Sequence, residues 1–387
     1  MSNTQFDRRD FIKTALAGSA AVSLASLAIP AMARQEAHSS ALHYGPMPGI
    51  AKLDANENPY GPSKAALSAI MKASQQGGAY YAYETGLRLI DMIAERYSLK
   101  PENVTLSSGS SGVLTSAALY ASQTGKILGP DLFWDTTALA PHNQGKADIL
   151  RLPKTNDLAI DLDAFYEAIT DEVSMVQVTN PNNPTGRALD PVQLEKFCIK
   201  ASKKCLVLVD EAYNELTDMP EKHSMIHLIN KGHNIAVGRT FSKIYGLAGM
   251  RVGYLLSSAD NIEKISKFGM GGYAMNQAGL AAAIASFDDN AFLTFSKEKI
   301  EQGREMVMSA VKANGLSALP STTSFVFVNL GDVNADKFRA EMKAQNVMIR
   351  GVYRDYLSWS RVSMGKIEDV QKYVNALPRA LDTLRNT

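Results

Sequence analysis

The sequence predicts an α/β protein: a mainly parallel, seven-stranded sheet sandwiched by helices, joined to a smaller α/β unit. Three observations carry this expectation. Short, near-continuous apolar runs alternate with helical patterns from Val104 to Leu256, as parallel strands buried on both faces do. The length of 387 residues suffices for two domains and a large core. After about residue 285 a long polar helical stretch leads into a second α/β pattern.

In chain order, a polar leader from Arg34 to Tyr44 precedes a loop marked by Pro59, Gly61 and Pro62, and Ser63 opens an Ala/Leu-periodic helix to about Ala73. A second helix is expected from about Thr85 to Tyr97. The strands expected next are Val104–Ser107, Lys126–Gly129, Asp148–Leu152, Ser174–Thr179, Leu206–Val209, Ile235–Gly238 and Val252–Leu256. A long helix from Ala291 to Ala313, strands Ser324–Val328 and Ser360–Met364, and a helix from Ile367 complete the chain. The expected division is a large domain over 76–285 and a small one over 286–387, with 34–75 joining the small domain. No internal repeat is visible.

Composition narrows the function classes. A hydrophobic content of 45% with 20% charged residues excludes disorder and a collagen-like fibre. The net charge of +1, with both signs mixed, provides no basic footprint for nucleic acid and no polybasic membrane patch. Cys198 and Cys205 fall where a helix is followed by a strand, so burial as small hydrophobes is expected rather than a bridge or a metal site. His223 and His227 have helical spacing, but no Glu follows His223, and no metal is expected.

At the N-terminus, Asp7-Arg8-Arg9-Asp10-Phe11-Ile12-Lys13 precedes an uncharged stretch from Thr14 to Ile29, then Ala31-Met32-Ala33, an A-x-A cleavage pattern. The segment resembles a twin-arginine (Tat) signal, whose export machinery carries folded proteins. Asp7 departs from the usual Ser or Thr. The apolar stretch is short and diluted by Gly18, Ser19, Ser23 and Ser26, which suits a spanning helix poorly. Cleavage after Ala33 is expected, with a periplasmic or exported product of zero net charge.

Five segments carry chemistry. In Arg239–Gly253, Lys243 sits between the hydroxyls of Thr240 and Ser242 and a Gly246/Gly249 turn, with Arg251 eight residues on. A lysine partly buried beside a cation has the lowered pKa that a Schiff-base nucleophile needs. Ser108-Gly109-Ser110-Ser111-Gly112 follows a strand and opens a helix, an arrangement that offers free N–H groups and hydroxyls to an anion. Asn180-Pro181-Asn182-Asn183-Pro184-Thr185-Gly186 follows another strand. Asp210, in Val207–Tyr213, stands at the C-terminal end of a buried strand, the ligand side of an open α/β sheet. Trp359-Ser360-Arg361-Val362-Ser363-Met364-Gly365 places an arginine on a late strand.

Together these segments resemble the fold-type I, class I and II aminotransferases that use pyridoxal 5′-phosphate (PLP), and within them the histidinol-phosphate aminotransferase branch, over about residues 50–385. The resemblance implies a role for each residue. Lys243 forms the Schiff base and then shuttles a proton. Asp210 pairs with the pyridine nitrogen, which keeps the ring an electron sink. Asn183 and Tyr213 bond the phenolic oxygen. Ser110, Ser111, Thr240, Ser242 and Arg251 hold the phosphate. Arg361 clamps a substrate carboxylate or phosphate, and Arg350 is a second arginine at the substrate end. Asn58, in Leu53-Asp54-Ala55-Asn56-Glu57-Asn58-Pro59, is expected to join the substrate-binding residues.

Two segments depart from the family pattern. Tyr80-Tyr81-Ala82-Tyr83-Glu84 replaces an Arg-Tyr-Pro-Asp run, so Tyr81 or Tyr83 is the tyrosine expected to reach a neighbouring subunit's cofactor phosphate. The turn that supplies the ring-stacking aromatic reads Gly129-Pro130-Asp131-Leu132-Phe133-Trp134, with Trp134 preferred over Phe133. The implied activity is ping-pong transfer of an amino group between an amino acid, or an amino alcohol phosphate such as histidinol phosphate, and a 2-oxo acid, in a homodimer. The competing reading is another PLP reaction on the same scaffold: a lyase, decarboxylase or racemase.

Overall fold

A computed structural model describes residues 44–80, 82–153 and 155–385. Residues Gly49–Thr387 form one compact unit; of the separate unit Met1–Pro48, the described residues 44–48 are exposed. The twin-arginine segment and its cleavage pattern lie outside the described residues.

A two-residue strand, β1 (Ala51–Lys52), precedes the main sheet. That sheet comprises β2 (Val104–Ser108), β3 (Lys126–Gly129), β4 (Ile149–Arg151), β5 (Val173–Thr179), β6 (Leu206–Asp210), β7 (Ile235–Thr240) and β8 (Val252–Leu256). Their spatial order is β2-β8-β7-β6-β5-β3-β4, and β8 alone runs antiparallel to its neighbours. Every residue of β6 and β7 is buried. Successive side chains point to opposite faces. Leu206 and Leu208 therefore pack with Leu114, Ala117 and Ala118 of the helix Ser110–Ala121, whereas Val207 and Val209 belong to the larger core on the other face. Near-continuous apolar strands are the consequence of that double coverage.

The remaining strands make two smaller sheets. β10 (Phe325–Asn329) lies antiparallel between β9 (Ser317–Ala318) and β12 (Trp359–Ser363). β1 pairs in parallel with β11 (Val347–Met348), which ties the start of the unit to its last quarter. Arg350 and Arg361 form an isolated antiparallel bridge beside β12. The Ser63 hydroxyl caps the helix Lys64–Ser74 by accepting from Ala66 N at 3.2 Å. Cys198 and Cys205 are free and buried, and burial pushes the Cys205 thiol up to about 11.

Behind the ends of β6 and β7 lies a buried charge cluster. Arg239 donates from Nε and Nη2 to Glu211 Oε2 at 3.1 and 2.6 Å, from Nη1 to Glu215 Oε1 at 3.0 Å, and from Nη2 to Asn214 Oδ1 at 2.9 Å. Glu211 Oε1 accepts in turn from Met225 N at 2.7 Å. Removing one partner of a buried pair leaves an uncompensated charge, which typically costs about 3–5 kcal/mol. Arg239→Ala is therefore predicted to lower the urea-unfolding free energy by about 3–5 kcal/mol, and a loss under about 1 kcal/mol, the range of exposed pairs, would contradict the clamp.

Candidate active site

The C-terminal ends of β5, β6 and β7 open onto a cavity of about 520 Å³. The strand ends bring Asn183, Asp210, Thr240, Ser242 and Lys243 to it, the turn after β2 brings Ser110 and Ser111, and β12 brings Arg361 from the small sheet. Arg251, Tyr213, Trp134 and Arg350 line the same space, so all the predicted site residues but Asn58 meet there.

One end is built for an anion. Arg251 donates from Nη1 to Ser242 Oγ (3.3 Å) and Ala248 O (3.1 Å), and from Nη2 to Ser108 O (3.4 Å). Thr240 Oγ1 donates to Ser242 Oγ at 2.9 Å. Arg251 has φ 56°, a left-handed conformation costly for a non-glycine residue and common where function demands it. Gly109, at φ 74°, begins the helix carrying Ser110 and Ser111, and a Cβ there would stand 2.1 Å from Arg251 Nη2. Only glycine lets the guanidinium lie against this backbone. Hydroxyls, a guanidinium and unpaired helix N–H groups thus converge.

In the middle, Lys243 Nζ donates to Asn56 O at 2.8 Å and lies 5.4 Å from the Tyr213 ring centroid. Burial lowers the amine's pKa to about 8; the Arg361 and Arg251 charges push the same way, against Asp210. Asp210 is buried and accepts from Ala212 N at 3.2 Å. Burial raises its carboxyl to about 6, although Ala212 N–H and Lys243 oppose the rise. A cation placed beside it would restore its ordinary acidity. The Tyr213 hydroxyl accepts from Asn56 Nδ2 at 2.8 Å.

The far end is cationic. Arg361, 7% exposed, donates from Nη1 to Asn183 Oδ1 (2.9 Å) and from Nη2 to Asp54 O (3.1 Å), and has no ion pair among the described residues. Arg350 donates its backbone N–H to Arg361 O at 3.0 Å, and its exposed side chain lines the cavity. Phe133 and Trp134 both line the cavity, but Phe133 is 5% exposed and packs closely over Gly129 in the core. That leaves Trp134 as the freer ring.

One predicted residue is misplaced. Asn58 is no cavity residue: its amide is spent on Ile244 O (2.7 Å), Ser296 Oγ (2.8 Å) and Tyr60 N (3.0 Å). It anchors the loop, and Asn56 of the same motif takes the cavity position. Asn56, Asp54, Asp135, Tyr353 and Arg354 also line the site and were not singled out from sequence. The motif around Asn56 was visible, but in an irregular loop no periodicity tells which asparagine faces inward. Tyr81 lies outside the described residues; Tyr80 and Tyr83 are exposed beside a separate groove.

The donor set fits PLP. The cradle of Ser110, Ser111, Thr240, Ser242 and Arg251 suits its phosphate, buried Asp210 its pyridinium nitrogen, and Lys243 its aldehyde carbon.

Comparison with known proteins agrees. The family description "Aminotransferase class I and II" matches residues 48–377. The chain is 32% identical to histidinol-phosphate aminotransferase 1 of Cupriavidus pinatubonensis, over 86% of this chain and 89% of that one. It is 34% identical to histidinol-phosphate aminotransferase 2 of Ralstonia nicotianae, with the same coverages. The crystal structure of histidinol-phosphate aminotransferase from Sinorhizobium meliloti with pyridoxal-5′-phosphate superposes with a TM-score of 0.77 at 28% identity, covering 87% of this chain and 92% of that one. L-threonine-O-3-phosphate decarboxylase from Porphyromonas gingivalis, at 19% identity and a TM-score of 0.72, shares the fold. The chain belongs to the class I and II aminotransferases and is a PLP-dependent aminotransferase.

Proposed function

We propose that this enzyme moves an amino group between an anionic amino donor, either an amino acid or an amino alcohol phosphate such as histidinol phosphate, and a 2-oxo acid. The observation that carries the reading is the polarity of the cavity: an anion cradle at one end, Lys243 and Asp210 in the middle, and Arg361 with Arg350 at the other end. PLP supplies an electron sink for the charge that develops at the substrate's α-carbon. Lys243 would hold it through its amine and would carry the proton at the α-carbon. Asp210 would hold the ring nitrogen protonated, and Asn183 and Tyr213 would donate to the phenolic oxygen. Trp134 would cover one face of the ring. Arg361, with Arg350 beside it, grips the substrate anion and so fixes the angle of the α-hydrogen.

Two further features belong to this reading. A homodimer is supported by the exposed Tyr80, Tyr83 and Tyr273, which line one groove and are aromatics of the kind enriched at interfaces, with Tyr83 or Tyr81 the tyrosine offered to the partner. Tat-dependent export to the periplasm, with cleavage after Ala33, is supported by Arg8-Arg9 and the A-x-A pattern; folded export suits an enzyme loaded with cofactor beforehand. A precursor with both arginines changed to lysine should remain cytoplasmic on fractionation, and the mature chain should sediment as a dimer. Periplasmic accumulation of that variant, or a fully active monomer, would refute the respective claim.

The lowered Lys243 pKa has a direct readout. In the cofactor-free protein, borohydride trapping of an aldehyde on Lys243 should rise with pH through a midpoint near about 8, where the folded amine loses its proton. Trapping that rises only near the ordinary lysine value of 10.5 would show the amine to be unperturbed.

Arg361→Ala removes a buried charged contact of a kind typically worth about 2–5 kcal/mol on truncation. The expected loss in kcat/KM is thus about thirty- to several-thousand-fold. Arg361→Lys should restore little, because an ammonium lacks the planar fork. An amino donor supplied alone should convert the cofactor's visible absorbance in the wild type and do so slowly in both variants. Unchanged steady-state constants in Arg361→Ala would remove the reason for expecting an anionic substrate.

A further inference from the structure

We propose that Asn56 is a positioning residue that sets the direction of the Tyr213 hydroxyl, through a relay running from Ser363 on β12 through the Asn56 amide to the phenol. Ser363 Oγ donates to Asn56 Oδ1 at 2.6 Å, and Asn56 Nδ2 donates to the Tyr213 oxygen at 2.8 Å. The serine bond orients the amide, and the amide then occupies an acceptor position of the phenol. A phenol carries one proton. With its oxygen already accepting from Asn56, that proton is left to point into the cavity that Tyr213 lines.

The loop carrying Asn56 is held from two other directions. Asn58 is bonded to Ile244 O and Ser296 Oγ, and Gly61 meets Gly246 so closely that a Cβ on Gly61 would lie 2.5 Å from Gly246 Cα. Asn56 O also accepts from Lys243 Nζ at 2.8 Å. One residue therefore touches Tyr213, Lys243 and the strand that bears Arg361, and its own position is fixed by packing. The inference rests on the proposed role of Tyr213 as a donor to the cofactor's phenolic oxygen. It adds that the donor's direction is imposed by Asn56 and by Ser363 behind it.

The test is the pH midpoint of the visible absorbance change in PLP-loaded protein, measured for wild type, Asn56→Ala, Ser363→Ala, Tyr213→Phe and the Asn56→Ala/Tyr213→Phe pair. Thermal melts of each serve as the fold control. A hydrogen bond donated to the anionic oxygen favours that form, so weakening it moves the midpoint to higher pH. Asn56→Ala, which keeps the backbone carbonyl on Lys243, should raise the midpoint by about half to one unit. Ser363→Ala should raise it by less, and the double variant should match Tyr213→Phe alone. If Tyr213→Phe shifts the midpoint and Asn56→Ala does not, the relay is wrong and the Tyr213 role stands. An equal Asn56→Ala shift in both backgrounds would also overturn it, since the effect would bypass the phenol. No shift in Tyr213→Phe removes the Tyr213 role and the relay together. Should Asn56→Ala fail to fold, Ser363→Ala paired with Tyr213→Phe decides by the same criteria.

Discussion

The site depends on a salt bridge that does not line it. Arg239 and Glu211 are adjacent in sequence to Thr240 and Asp210 respectively, and their pair is 4% and 0% exposed. Parallel strands β6 and β7 are in register up to Asp210 and Gly238. The ladder between them ends with Glu211 N donating to Gly238 O at 2.9 Å, and beyond it Arg239 and Thr240 pair with Tyr254 and Gly253 of β8, on the side away from β6. The guanidinium spans the gap with two bonds to Glu211 and further bonds to Asn214 and Glu215. It thereby fixes the separation of the backbone bearing Asp210 from the backbone bearing Lys243. A 1 Å error there is the kind that catalytic geometry tolerates poorly. An apolar core pair of similar volume would be no less stable, but it would lack the directional bonds that align the two ends.

That alignment places opposite charges where burial perturbs both. Lys243 is pulled down to about 8 and Asp210 pushed up to about 6, chiefly by the same loss of water. Their mutual attraction opposes each shift without cancelling it. The other charged residues lining the cavity are Arg251 at one end, Arg361 and Arg350 at the other, and Asp54, Asp135 and Arg354; Asp135 is paired with Arg151 and Arg354 with Asp131, while Arg251 and Arg361 have no ion pair among the described residues. Such a cavity is electrostatically incomplete by itself. A ligand that brings a phosphate to Arg251, a cation to Asp210 and a second anion to Arg361 satisfies all three positions at once.

Much of this was legible from sequence where a periodic element delivers the residue. Asp210 and Lys243 follow apolar strands whose ends define the ligand side of the sheet, and Ser110 and Ser111 open a helix after a strand. The seven main-sheet strands were expected within about a residue or two of their observed limits. The two-residue strands β1, β9 and β11 were not, because they are too short to show a period. Long-range partners were illegible for a different reason. Arg239 reads as part of a motif, but nothing local indicates that Glu211 and Glu215 meet it in the interior. Asn58 was misassigned and Asn56 passed over, because irregular loops have no alternation to separate inward from outward positions.

The N-terminal loop shows why that distinction matters. Asp54 O accepts from Arg361 and Asn56 O accepts from Lys243, so two carbonyls of one segment, separated by Ala55, hold two cations of the cavity. These are backbone contacts, indifferent to side-chain identity, and no sequence motif encodes them directly. What the sequence does encode is the geometry that presents them. Gly61 and Gly246 permit backbone-to-backbone contact, Asn58 pins the loop to the lysine turn, and β1 adds to β11 on the other side. The motif residues with no direct place at the cavity are thus the ones that make the carbonyls of their neighbours available to it. In this enzyme, the N-terminal loop acts through its shape: it is the wall against which Lys243, Tyr213 and Arg361 are all aligned.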